Sequence, residues 1–151
     1  LQRDQKPETY LGYGRAELYA NSDELAADKP FNYNLNDSLA PSEWSLGGNL
    51  QINAYQSIST GVDAVLRIKF SAKEVYLVMD GPKEKSVTLK LNGQPVTSTS
   101  SGGSDVGADG QVLLSGARLY KLVTLLAFTK DAVLDITMPQ GTTINAFTFG
   151  S

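Results

Sequence analysis

Two pairings of tyrosine with arginine carry the most chemistry in this chain: Tyr13 with Arg15, flanked by Tyr10 and Glu17, and, far downstream, Arg118 with Tyr120. In an extended chain Tyr13, Arg15 and Glu17 project to one side, as do Arg118 and Tyr120, because side chains alternate with period two. A sugar ring is recognised by such a set: its apolar face stacks on an aromatic ring while its hydroxyls meet planar guanidinium, amide or carboxylate groups. Tyr10, Tyr13, Arg15, Glu17, Arg118 and Tyr120 are therefore the candidate ligand-binding residues, and both segments are expected to line one shared groove. On that reading Arg118→Ala abolishes binding and leaves the melting temperature unchanged. The same residues also fit tyrosines packed at a sheet edge beside an Arg15–Glu17 surface ion pair.

Other chemistry is largely excluded by composition. The 151 residues contain neither cysteine nor histidine. No thiolate nucleophile, imidazole base, disulfide or His- or Cys-ligated metal site is available, so no catalytic residue is assigned. Glu43, Asp63 and Glu74 would supply paired carboxylates for glycoside hydrolysis, but no other motif supports them. Asp105–Gly110 has the first, fifth and sixth positions of a calcium loop, with Gly107 at the third and Gly116 at the twelfth, where ligands belong. No metal ligand or cofactor is assigned, although a structural calcium held by backbone carbonyls stays open. A formal charge of -3 and a pI near 4.9 argue against nucleic acid as a partner. The apolar stretches Val75–Met79 and Leu122–Phe128 are too short to insert directly into a membrane. No signal-peptide pattern opens the chain, and residues 1–6 are expected to be the remnant of a linker before a domain at 7–151.

The elements that must hold these residues read as strands. Leu66, Ile68 and Phe70 alternate with Arg67 and Lys69; Val87, Leu89 and Leu91 alternate with Thr88, Lys90 and Asn92. Asn92-Gly93 then supplies the positive φ angles of a two-residue hairpin turn. Glu74–Met79, after a break at Ser71–Lys73, reads as a central strand covered on both faces. Val123 and Thr124 favour strand over helix for Leu119–Phe128. Trp44, Phe147 and Phe149 are expected to point inward, with Asn145 on the face of the two phenylalanines. Phe31 and Tyr33 fall in a loop, and a short helical turn is expected at Ser22–Ala27. Ser98–Gly110, rich in Ser and Gly, is expected to be the most mobile internal loop and to tolerate shortening at a cost of no more than about 1 kcal/mol. Many short strands between Gly, Pro and Asn punctuation predict an all-β, antiparallel β-sandwich of jelly-roll type.

Several ordered segments resemble one family. Pro7–Glu17, Ser38–Ala40 with Trp44–Gly48, Phe70–Val78, Arg118–Val123 and Ala146–Gly150 are similar to the C-terminal domain of DipZ-type thiol:disulfide interchange proteins, the thioredoxin-like C-terminal domain family. The resemblance spans residues 7 to 150. It implies a jelly roll like a carbohydrate-binding module or galactose-binding domain, attached behind a thioredoxin domain that is often itself behind a membrane-embedded electron-transfer domain. It further implies a periplasmic or otherwise extracytoplasmic position, with the redox cysteines in the thioredoxin part. Two functions remain open on this basis. One is a non-catalytic module for a glycan or cell-envelope polymer; the other is a scaffolding domain that docks on the thioredoxin domain or another protein without binding sugar.

Overall fold

The computed structural model of the chain describes residues 8–15 and 18–151. Among these residues ten strands run in order: β1 (Glu8–Tyr10), β2 (Pro30–Tyr33), β3 (Trp44–Ile52), β4 (Ser57–Ser59), β5 (Ala64–Asp80), β6 (Ser86–Leu91), β7 (Gln94–Pro95), β8 (Gln111–Leu113), β9 (Arg118–Met138) and β10 (Thr143–Gly150). Among the described residues there is no α-helix, and Tyr13–Arg15 and Ser22–Glu24 form single 3-10 turns. All pairings between strands are antiparallel. β3 pairs β5, β5 pairs β10, β10 pairs β4 and β4 pairs β3, so the pairings close a circuit as in a barrel and leave fewer free edges.

The long ribbon of β5 and β9 organises the molecule. Its lower half joins Ala64–Phe70 to Ala132–Met138 between β3 and β6; its upper half joins Glu74–Met79 to Arg118–Thr124 beside β10. Between the halves the register shifts: Ala72 faces Thr129 and Glu74 faces Thr124, so Leu125–Phe128 oppose Lys73 alone and stand out as a wide bulge. The buried residues of β5 change phase there, from Leu66, Ile68, Phe70 and Ala72 to Val75, Leu77 and Met79. Ser71–Lys73, expected to break the strand, is thus a bend within one continuous strand. Val75–Met79 is central, with neighbours on both sides, but Tyr76 and Val78 are only half-buried on its outer face.

The core is built around Trp44, Phe70, Tyr120 and Phe147, all fully buried, with Tyr19 against Trp44 at 4.7 Å between ring centroids. Phe149 is half-buried and stacks on Phe147. Phe31 and Tyr33 lie in strand β2 rather than a loop; Tyr33 is buried and Phe31 exposed. The β6–β7 hairpin turns on Asn92 and Gly93 at φ 50° and 82°, as the Asn-Gly pair predicts.

The segment 98–110 departs from its expectation. Val106 is buried, Gly102 bridges Val123, and the Gly103 amide donates to Leu122 O at 3.0 Å. Its glycines serve close backbone approach rather than freedom: a Cβ on Gly103 would collide with the carbonyl oxygen of Lys121.

Candidate functional site

Alternation along the strands sorts the candidate residues onto two faces. Across β1, β10, β5 and β9, the register aligns Tyr10, Ala146, Val78 and Leu119 in one row and Thr9, Phe147, Leu77 and Tyr120 in the next. The second row is buried and faces the core; the first is half-buried or exposed and forms an outer face. Tyr10 and Tyr120 therefore lie on opposite sides of the same strands, and the two tyrosine–arginine pairs do not line one groove.

Arg118 and Tyr120 form a clamp. The guanidinium lies 3.8 Å from the Tyr120 ring centroid and donates to Asp105 Oδ1 at 2.9 Å, to Leu119 O at 3.0 Å and to Ser115 Oγ at 3.3 Å, so three of its five donors are used within the protein. The Tyr120 hydroxyl donates to Gly116 O at 2.6 Å and accepts from the Ser115 amide. Asp105 also accepts the Lys121 amide at 2.7 Å, pinning segment 98–110 to β9. Burial pushes the Asp105 carboxyl up, but the hydrogen bonds from Arg118 and Lys121 and their charges outweigh it and leave it below the ordinary value.

Around Arg15 the arrangement is different. After β1 the chain bends inward at Leu11, whose amide donates to Asn145 O at 2.9 Å and whose carbonyl accepts the Ser57 hydroxyl. The 3-10 turn that follows lies on the β3–β4 connection, with Tyr13 N donating to Asn53 O and Gly14 N to Ala54 O. Tyr13, Arg15 and Glu17 therefore do not project from an extended strand: Tyr13 and Arg15 share a tight turn, and Glu17 lies outside the described residues. The turn swings Arg15 back over the Tyr10 ring, 4.2 Å from its centroid. Tyr13 is held away by its hydroxyl, which donates to Asp28 Oδ2 at 2.8 Å; that hydrogen bond raises its phenol above the ordinary value.

Tyr10, Arg15, Ala54, Tyr55, Val78, Asn145 and Ala146 enclose a cleft of about 410 Å³ on the outer face. Tyr55, in the β3–β4 connection, is 77% exposed and offers a free ring face. The Tyr10 hydroxyl donates to Glu8 Oε1 at 2.8 Å, fixing the second ring. Asn145 reaches the cleft through a bulge: Ile144 faces Met79 and Ala146 faces Val78, so Asn145 is an extra residue and leaves the face of Phe147. Ala54 and Ala146 leave the space between the rings open. One free aromatic face on Tyr55, with a cation and an amide around the same depression, can stack on a ring and bond its hydroxyls.

Two larger depressions have a different character. One of about 600 Å³ includes Asp105 and Asp109, which are engaged by Arg118 and by the Gln111 amide. One of about 510 Å³ includes Arg67, which is held by Asp135 through two hydrogen bonds of 2.6 and 2.9 Å. Among the described residues no cluster of three or more acidic side chains converges on a metal position. Trp44 is core, as its alternating segment predicts. The residues missed in the sequence are Tyr55 and Asn145. An aromatic in the turn Asn53-Ala54-Tyr55-Gln56 was a usable signal for the first, whereas the bulge that frees Asn145 has none.

A cysteine-free antiparallel β-domain with an aromatic and cationic cleft on one outer face is the class these features define. Residues 6–150 match the family described as the thioredoxin-like C-terminal domain, and the chain belongs to that family. It is similar to Protein DipZ of Mycobacterium bovis and to Protein DipZ of Mycobacterium tuberculosis, each 33% identical over about 60% of this chain. The matched stretch covers 14% of the length of either relative.

Proposed function

We infer that this domain is a non-catalytic binding module that takes a sugar residue of a glycan or cell-envelope polymer into the cleft between Tyr10 and Tyr55. Its fold on this reading is a jelly-roll β-sandwich of carbohydrate-binding-module type. The observation that carries the reading is the grouping of the exposed Tyr55 ring and the half-buried Tyr10 ring with Arg15 and Asn145 around one depression. With neither cysteine nor histidine, the chain performs no thiol chemistry itself. The parent is a thiol:disulfide interchange protein outside the cytoplasmic membrane, tethered to it, with a thioredoxin domain upstream. A weak polymer site on such a protein raises the local concentration of the redox domain near its substrates.

Screening the isolated domain on a glycan array, followed by calorimetric titration of the hits, tests this. Tyr55→Ala is expected to weaken binding by about tenfold or more, with an unchanged melting temperature because the ring is exposed. An array without hits overturns the reading.

One observation favours the docking alternative as an additional role. Leu126 is fully exposed at the tip of the Leu125–Phe128 bulge, where an apolar side chain gains nothing from the fold. β1 begins at Glu8 opposite Thr148, near the end of β10, whose Gly150 faces Glu74, the neighbour of Thr124 at the foot of that bulge. A domain that precedes β1 would lie on the β1–β10 side of the sheet, which the register links through β5 to the foot of the bulge.

A further inference from the structure

Resting on the glycan reading, we propose that the cleft selects an acidic sugar, a ring bearing a carboxylate, and that Arg15 is the residue that reads the charge. Three arginines fall among the described residues, and two of them already hold carboxylates: Arg67 pairs with Asp135 and Asp37, and Arg118 with Asp105. Arg15 has no acidic partner among the described residues; its one contact of note is the Tyr10 ring. Glu8 accepts the Tyr10 hydroxyl and Asp28 accepts the Tyr13 hydroxyl, while Glu17 lies outside the described residues. Among the described residues Arg15 is thus an exposed cation without an ion pair at the rim of a largely apolar depression.

The geometry of that stacking matters. A guanidinium lying over an aromatic ring uses its flat face for the contact, while its N–H donors radiate in its own plane and remain free for a bidentate carboxylate. Tyr10 also restricts the side chain, so less conformational freedom is lost when the anion arrives. With Arg15 on the carboxylate, the Tyr55 ring is left for the apolar face of the sugar and the Asn145 amide for a hydroxyl. The net charge of -3 does not oppose this, because charges farther from the cleft than about 8 Å are screened at physiological salt. The preference is a contact effect, read in affinity rather than in long-range attraction.

Calorimetric titration of the domain with oligomers of galacturonate, glucuronate and mannuronate, each beside its methyl ester, tests the proposal, since each ester removes the charge of the ring substituent at the cost of one added methyl group. Wild type is expected to bind at least one acid oligomer about tenfold or more tighter than its ester, and Arg15→Gln to bring the two to the same affinity with an unchanged melting temperature. The preference should also shrink as salt is raised. Esters bound as tightly as the acids, or a preference that survives in Arg15→Gln, overturn the proposal while the glycan reading stands. Tyr55→Ala tells the two apart, because it should lower the affinity for both forms. Failure of every oligomer to bind, together with an array without hits, removes both readings.

Discussion

Arg118 and Arg15 each lie over a tyrosine ring, at 3.8 and 4.2 Å from its centroid, yet their partners give them opposite roles. Asp105, Leu119 O and the Tyr120 ring hold Arg118 away from the cleft, so Arg118→Ala should remove a ring contact and an ion pair and should leave cleft binding intact. With the side chain 41% exposed, solvent screens the pair, and the loss is expected to be about 1 kcal/mol, or roughly 2–4 °C in thermal melting. Loss of glycan binding with unchanged melting would restore the ligand role first assigned to it. Asp105 adds a pH signature. Its folded carboxyl lies below the ordinary value, so its stabilisation is complete above that value and is lost as pH falls through the folded one. Asp105→Asn should therefore lower the melting temperature at neutral pH and narrow its gap to wild type in strong acid, below about pH 4. Tyr120 was legible as an aromatic at strand spacing, but the sequence held nothing to say that its hydroxyl would be spent on Ser115 and Gly116.

Segment 98–110 and the bulges of β9 and β10 show how elements decide what residues can do. The Ser and Gly content around Gly103 predicts a flexible loop, because these residues bury little apolar surface. Its neighbours instead lock against β9, and Gly103→Ala must push the Lys121 carbonyl away. Urea denaturation of Gly103→Ala is expected to show a loss of about 1–3 kcal/mol, the usual range for overpacking. A loss within error would mean that the segment yields freely and that the mobile-loop expectation was right. Turns with local chemistry were legible: Asn92-Gly93 needs only its own two residues to adopt positive φ. The Asn145 bulge was not, because an extra residue in β10 is defined only against the register of β5, far away in sequence.

On the scale of the whole molecule, the cleft and the apolar bulge occupy different parts of the β5–β9–β10 region, so ligand binding and docking can be separated by mutation. Leu126→Glu should alter the stability of the isolated domain by no more than about 0.5 kcal/mol, since the side chain touches only solvent. In a parent carrying an upstream domain, the same change should speed limited proteolysis of the segment before Glu8. Unaltered proteolysis would remove the docking role and leave the glycan reading untouched. Composition alone was enough to exclude thiol and imidazole chemistry, since a side chain that is absent cannot be restored by any fold. Alternating hydrophobicity was likewise enough to establish an all-β domain, because a period of two records burial on one face of a strand, and the Asn92-Gly93 turn was enough to make one pairing antiparallel. Which face each aromatic occupies was settled only when distant strands paired. A shift of one residue in register turns a side chain from core to solvent, and that shift placed Tyr120 inside, Tyr10 outside and Asn145 in the cleft.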